Sequence, residues 1–180
     1  RDLPALGRLT GKGDTINLEK LVALKPDLII DFGTISDTYK SLADRVQAQT
    51  HIPYLLIDGR FENTPAALRL IAGILGVEDR GEALAKAAET TFAEVDHVLA
   101  NVPVEQRPHV YLARQGDGLE SGARGSINTE IIERAGGINV VEGTRDKGGS
   151  GEAARDNLSA WAPDTIITLN PDFARKVAAM

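Results

Sequence analysis

The residues best suited by type and spacing to touch a small ligand lie in "RQGDGLESGARGS", residues 114–126. Gly116, Gly118, Gly122 and Gly125 remove four side chains from this stretch, so its backbone can approach a ligand closely. Arg114, at the end of the apolar run "HVYLAR", offers a planar guanidinium to a carboxylate, a phosphate-like group or an oxyanion. Ser121 adds a hydroxyl. Ser126 reads as the N-cap of a following helix, whose free N–H groups would face an anionic group. The plainer alternative is a flexible connector in which Ser126 only caps.

A second pattern is a repeat. "LEKLVALKPDLII" (18–30) returns as "RDNLSAWAPDTII" (155–167) when Pro26 is set on Pro163. Leu21 then matches Leu158, Asp27 matches Asp164, and Ile29 matches Ile166. Glu19 and Asp156 each stand seven residues before the proline. Helical spacing puts Leu21 and Leu24 on one apolar stripe and Leu158 and Trp161 on its counterpart, with both acids outside. Locally, Glu19 suits the positive end of a helix and Asp156 suits an N-cap.

Other chemistries fare worse. Cysteine is absent, which removes disulfides, thiolate nucleophiles and zinc–thiolate sites. His51, His97 and His109 are scattered without a second ligand at useful spacing, so no protein-held metal or resident cofactor is expected. Tyr39, Tyr54 and Tyr111 have the chemistry to ligate haem iron, but Tyr54 and Tyr111 read as core strand residues. "GRLTGKGD" (7–14) has three residues between Gly7 and Gly11, and Gly13 after Lys12, so it fails the phosphate-loop spacing. "GLESG" puts Glu120 where a nucleophile elbow needs serine. A net charge of −6, with no basic run, argues against nucleic acid. No apolar run nears the ~20 residues of a membrane span, so no direct membrane insertion is expected.

The elements that must position these residues alternate. Leu18–Leu24 reads as a short helix stopped by Pro26. "DLIIDF" (27–32) reads as a strand buried on both faces. A helix over Ser36–Gln49, the strand "YLLIDG" and a helix over Thr64–Leu75 with Gly76 as its stop follow. A long helical segment then runs from Asp79 to Asn101, roughly 35 Å at ~1.5 Å per residue. Its apolar stripe is Leu84, Ala88, Phe92, Val95 and Leu99. Beyond it come the strand 109–114, the Gly-rich loop, a helix over Ile127–Ala135, a strand over Thr165–Leu169 and a last helix. The expected fold is α/β, with two small parallel-sheet lobes bridged by a single long α-helix. The boundaries are 1–78 for the first lobe, 79–102 for the linking helix and 103–180 for the second lobe.

This layout resembles the substrate-binding proteins of ABC importers, in the class whose lobes are joined by one rigid helix. The words that carry the resemblance are "GRLTGKGDTINLEKLVALKPDLII" (7–30), "IPYLLID" (52–58), "GSINTEIIERAGGINVV" (125–141) and "NLSAWAPDTII" (157–167). The resemblance implies a receptor in the periplasm or on the cell-envelope exterior that hands its cargo to an ABC importer permease. The class takes up ferric siderophores, haem, vitamin B12 and some oxyanions, with ferric chelates first by frequency. Its members are longer at both ends, so this chain looks like a middle portion, with both lobes incomplete.

By motif position, the resemblance assigns Glu19 and Asp156 to docking on permease arginines; for Asp156 the capping role stands equally. It places the cargo between the lobes, at loops that follow strand ends. Those loops hold Arg8, Thr10, Lys12, Thr34, Arg60, Arg114, Gly116, Gly118, Ser121 and Ser126. The competing reading is a small α/β enzyme acting on a phosphorylated substrate.

Overall fold

Asn17 starts the first element: its side-chain oxygen accepts the Lys20 N–H at 2.9 Å, and α1 (Leu18–Ala23) follows. The structure is a computed structural model that describes residues 5–7, 17–114, 116, 118–141 and 157–178. These fall into two compact units, residues 1–59 and 60–180.

In the first unit α1 leads through Pro26 into β1 (Ile29–Gly33), then α2 (Asp37–Thr50) and β2 (Tyr54–Asp58). The strands pair in parallel, with Ile29 opposite Tyr54 and Gly33 opposite Asp58. Leu21, Ile29, Val46 and Ile52 form the core, joined by Leu6, Leu18, Leu42 and Tyr54. Each such side chain, once buried, contributes about 1.5–3 kcal/mol relative to exposure. α2 ends at His51 in left-handed backbone, φ 57°, and Gln47 turns back to accept the Tyr54 N–H at 2.9 Å. The Tyr54 hydroxyl donates to Asp31 at 2.9 Å; burial and this carboxylate push the phenol pKa above its ordinary range.

Two apolar assignments change here. Leu24 is 51% exposed, because α1 has already ended and Leu24 is its C-cap. β1 is buried on one face only: Ile29 is covered, while Ile30 and Phe32 are 42% and 52% exposed. The core residues of this unit gather on the Ile29 side of a two-stranded sheet.

The second unit opens with a 3₁₀ turn, Phe61–Asn63, that runs into α3 (Thr64–Leu75). Gly76, at φ 66°, ends α3 and turns the chain into α4 (Glu78–Leu99). The two helices pack closely because Gly81 has no side chain: a Cβ there would overlap that of Ala72. Arg69 of α3 spans Glu82 and Glu89 of α4, at 2.6 Å to each, and holds both carboxyls below their ordinary pKa. The buried stripe of α4 runs through Gly81 and Ala85 to the half-buried Ala88, Phe92, Val95 and Leu99. Leu84 lies outside it, 46% exposed, since close approach to α3 selects the small residues one position later.

β3 (His109–Ala113) follows, then α5 (Glu130–Arg134) and β4 (Ile138–Asn139). Residues 157–161, the described part of α6, lead to β5 (Thr165–Thr168) and α7 (Pro171–Ala178). The sheet is parallel, in the order β4–β3–β5. Tyr111, Ala113, Val140 and Val141 make its core, with Leu158, Trp161 and Phe173 packed against them. The α/β class with two small parallel sheets and one long helix agrees with the sequence expectation.

The repeat reaches further than its sequence shows. Ile29 faces Tyr54 across its sheet, and the matching Ile166 faces Tyr111. In the first unit the tyrosine strand comes after the repeat in the chain, and in the second before it. Leu21 and Leu158 both reach their cores. Asp164 uses its carboxylate to accept the His109 backbone N–H at 2.8 Å, which ties the start of β5 to the start of β3.

Candidate functional site

β3 ends at Ala113 and the Gly-rich loop begins by folding back on itself. The Arg114 N–H donates to the Glu120 carbonyl at 2.8 Å, and the two side chains pair at 3.7 Å. The Tyr111 hydroxyl, wholly buried, donates to the Gly118 carbonyl at 3.0 Å. Gly118 has φ +69°, and the Phe173 ring fills the space a side chain would take. Gly122 likewise makes room for the Ser126 hydroxyl, which shares a hydrogen bond of 3.0 Å with Thr129. The buried Asn139 amide donates to the Gly122 carbonyl at 3.0 Å, and Thr129 donates to the Ala123 carbonyl at 2.9 Å. From Gly118 to Ser126 the loop is therefore fastened along its length and is not a slack connector.

Ser121 is 4% exposed, and its hydroxyl has no hydrogen-bond partner among the described residues. Such a group costs about 1–3 kcal/mol unless something supplies a partner. Ser126 is not the helix N-cap. Its carbonyl takes the Thr129 and Glu130 N–H groups in a turn, and α5 starts later, with Thr129 as its N-cap.

A cleft of about 260 Å³ in this unit is lined by Phe61, Glu62, Gly125, Glu130, Glu133 and Arg134. The Phe61 N–H, first of the 3₁₀ turn ahead of α3, donates to Glu130 at 2.6 Å. Glu133 accepts the Gly125 N–H at 3.3 Å. Arg134 pairs with Asp96 of α4, donates to the Phe92 carbonyl at 3.0 Å and lies 5.0 Å from the Phe92 ring centre. The hydrogen bonds from this guanidinium hold the Asp96 carboxyl below its ordinary pKa. Phe61 meets the same ring from elsewhere, at 5.1 Å between centroids. The result is a carboxylate-rimmed cleft with an aromatic pair beside it and one guanidinium already engaged.

The residues singled out from sequence are distributed as follows. Arg114, Gly118, Ser121 and Ser126 belong to one fastened loop, and Gly116 is exposed within it. Arg60 pairs with the cleft residue Glu62 at 3.2 Å. Thr34 is exposed after β1, and Glu19 is exposed in the first turn of α1. Arg8, Thr10, Lys12 and Asp156 lie outside the described residues. His51 and His97 are exposed, and His109 sits beside Asp164 at 3.3 Å. Among the described residues no group of three His, Asp or Glu side chains is arranged to hold a metal. Sequence reasoning passed over Phe61, Glu62, Glu130, Glu133 and Arg134. Two signals pointed to them: Phe61 and Glu62 lie in the turn just after β2, beyond Gly59 and Arg60, and Glu130, Glu133 and Arg134 have the i, i+3, i+4 spacing of one helix face.

Comparison with known proteins agrees with this architecture. The sequence matches the periplasmic binding protein family over residues 7–179. The molybdate-binding protein MolA of Haemophilus influenzae is 24% identical over 200 residues, covering 97% of this chain and 54% of that protein. Among solved structures, an ABC transporter solute-binding protein from Sulfurospirillum deleyianum superposes with a TM-score of 0.84 at 30% identity, covering 98% of this chain and 54% of that one. A periplasmic haem-binding protein from Pseudomonas aeruginosa shares the fold at a TM-score of 0.68 and 21% identity, covering 89% and 58%. The chain thus spans about half the length of the relatives it matches. With the match running almost end to end and the long helix set between two parallel sheets in chain order, this chain belongs to the periplasmic binding protein family.

Proposed function

We propose that this chain forms the cargo-holding part of a receptor that delivers a metal chelate or an oxyanion to an ABC import permease, in the periplasm or on the cell-envelope exterior. The observation that carries the reading is the family match over residues 7–179. Relatives named for molybdate and for haem support a cargo drawn from those chemistries, with a ferric chelate as a further member. The lobes are taken as 1–78 and 103–180, joined by the helix 79–102. Ligand contact comes from the fastened Gly-rich loop, where Ser121 offers a buried hydroxyl in want of a partner, and from the loops carrying Arg8, Thr10, Lys12, Thr34 and Arg60. Glu19, exposed at the start of α1, and Asp156, its counterpart in the repeat, dock on permease arginines through charge-assisted hydrogen bonds. The long helix limits the lobes to small rocking movements. No observation favours the enzyme reading.

The test is thermal unfolding of the chain with haem, ferric siderophores, cobalamin, molybdate and sugar phosphates in parallel. Cargo at a hundredfold excess over its dissociation constant adds about 2.7 kcal/mol, which is a clear shift in midpoint. A shift with one chelate or with molybdate supports the receptor and names its cargo. A shift with sugar phosphates alone restores the enzyme.

A further inference from the structure

Two residues of the cleft lining converge on one residue that does not line it. Phe92 projects from α4, and its ring has Phe61 at 5.1 Å and the Arg134 guanidinium at 5.0 Å. Both of those residues line the cleft, whereas Phe92 does not. Arg134 is fixed to α4 twice more, through Asp96 one turn on and through the Phe92 carbonyl at 3.0 Å. The neighbouring Glu133 extends the hold to Gly125, at the end of the Gly-rich loop, through the backbone N–H at 3.3 Å. Glu130 closes the circuit by accepting the Phe61 N–H at 2.6 Å, across 69 residues of chain.

We propose that Phe92 is the positioning residue of the cleft. One aromatic ring sets the place of Phe61 on one wall and of Arg134 and Gly125 on the other. Aromatic pairs and cation–π contacts carry orientation as well as apolar burial, so an aliphatic side chain of similar bulk replaces only part of this hold. The cleft walls are therefore fastened to the long helix, and bending of α4 near Phe92 carries both walls with it. This deepens the receptor reading, on which its meaning for cargo rests, but the positioning itself is a separate claim.

The experiment is amide hydrogen exchange on the whole chain with Phe92→Tyr, Phe92→Leu and Phe92→Ala, each also tested for binding of molybdate and haem. Phe92→Leu is expected to speed exchange at Phe61 and Gly125 about tenfold or more, with Tyr111 and Leu112 in β3 unchanged. Phe92→Tyr, which keeps the ring, stays within about twofold of the parent. If Phe92→Ala speeds every amide alike, it has lost the fold and Phe92→Leu decides. Unchanged exchange at Phe61 and Gly125 in Phe92→Leu overturns the proposal. Absence of binding by the parent chain counts against the receptor reading alone and leaves the exchange result standing.

Discussion

Lys25 and Ala162, one before Pro26 and the other before Pro163, both hold left-handed backbone, at φ 49° and φ 42°. Neither is glycine, and a side chain there costs roughly 1–2 kcal/mol. The same strained exit from the helix has been kept in both copies of the repeat. It points the chain into a strand while Leu21 and Leu158 stay in their cores.

Ala162→Gly relieves that strain but loosens the unfolded chain by about 0.5–1 kcal/mol, so the expected outcome is neutral to slightly stabilising. Ala162→Val is expected to cost more than about 1 kcal/mol, since a β-branched residue fits this region worst. Urea midpoints of the two variants against the parent decide it. A Val variant as stable as the parent contradicts the backbone geometry.

Gly81→Ala sets one gain against one loss. Alanine is favoured in a helix by about 1 kcal/mol, but its Cβ would overlap Ala72 and cost about 1–3 kcal/mol. A net loss of up to about 2 kcal/mol is expected. Adding Ala72→Gly to the same chain should recover part of it, as a double-mutant cycle would read.

Ser121→Ala separates stability from binding. Removing a buried hydroxyl without a partner is expected to raise stability by about 1 kcal/mol. Under the receptor reading it also weakens cargo. A variant that loses stability instead shows that the hydroxyl is satisfied within the protein.

The acid limb of stability tests Asp164. Its carboxyl pKa is lowered in the fold, first by the His109 backbone N–H and then by the His109 side chain. A depressed carboxyl stabilises above its unfolded pKa, about 3.9, and loses that contribution as pH falls through the folded value. Asp164→Asn should therefore flatten the pH dependence of unfolding below about pH 4. Equal acid limbs in parent and variant would remove Asp164 from the account.

Arg69→Gln is expected to return the Glu82 and Glu89 carboxyls toward their ordinary titration, because hydrogen bonds from this one guanidinium are the leading cause of both depressions. NMR titration of the two carboxyl groups reads it directly. Titration of both residues unmoved by the substitution contradicts the geometry.

What could be read in advance depended on how local its cause was. Gly76 stops α3, Pro26 follows α1, and apolar spacing marks α2 and α4, all within a few residues of chain. Periodicity gave α4 its stripe through Ala88, Phe92, Val95 and Leu99 but missed its start: Ala85 is buried and Leu84 is not, because Gly81 draws α3 in on that side. The start of α5 was misplaced, since Ser126–Thr129 forms a turn that uses the same capping chemistry as a helix start. β4 is two residues long and carries too little pattern to stand out. The cleft was hidden for another reason. Glu130, Glu133 and Arg134 are charged residues on a short helix, and nothing near them in sequence announces Phe61 or Phe92. The repeat itself was plain, but the facing tyrosines Tyr54 and Tyr111 emerged only from strand register.

Arg69 grips two carboxylates seven residues apart on α4, Glu82 and Glu89. Sliding α3 along α4 by even one residue, about 1.5 Å, would lengthen one bridge as it crowded the other. The helical hairpin thus behaves like a pinned joint that permits bending and resists shear.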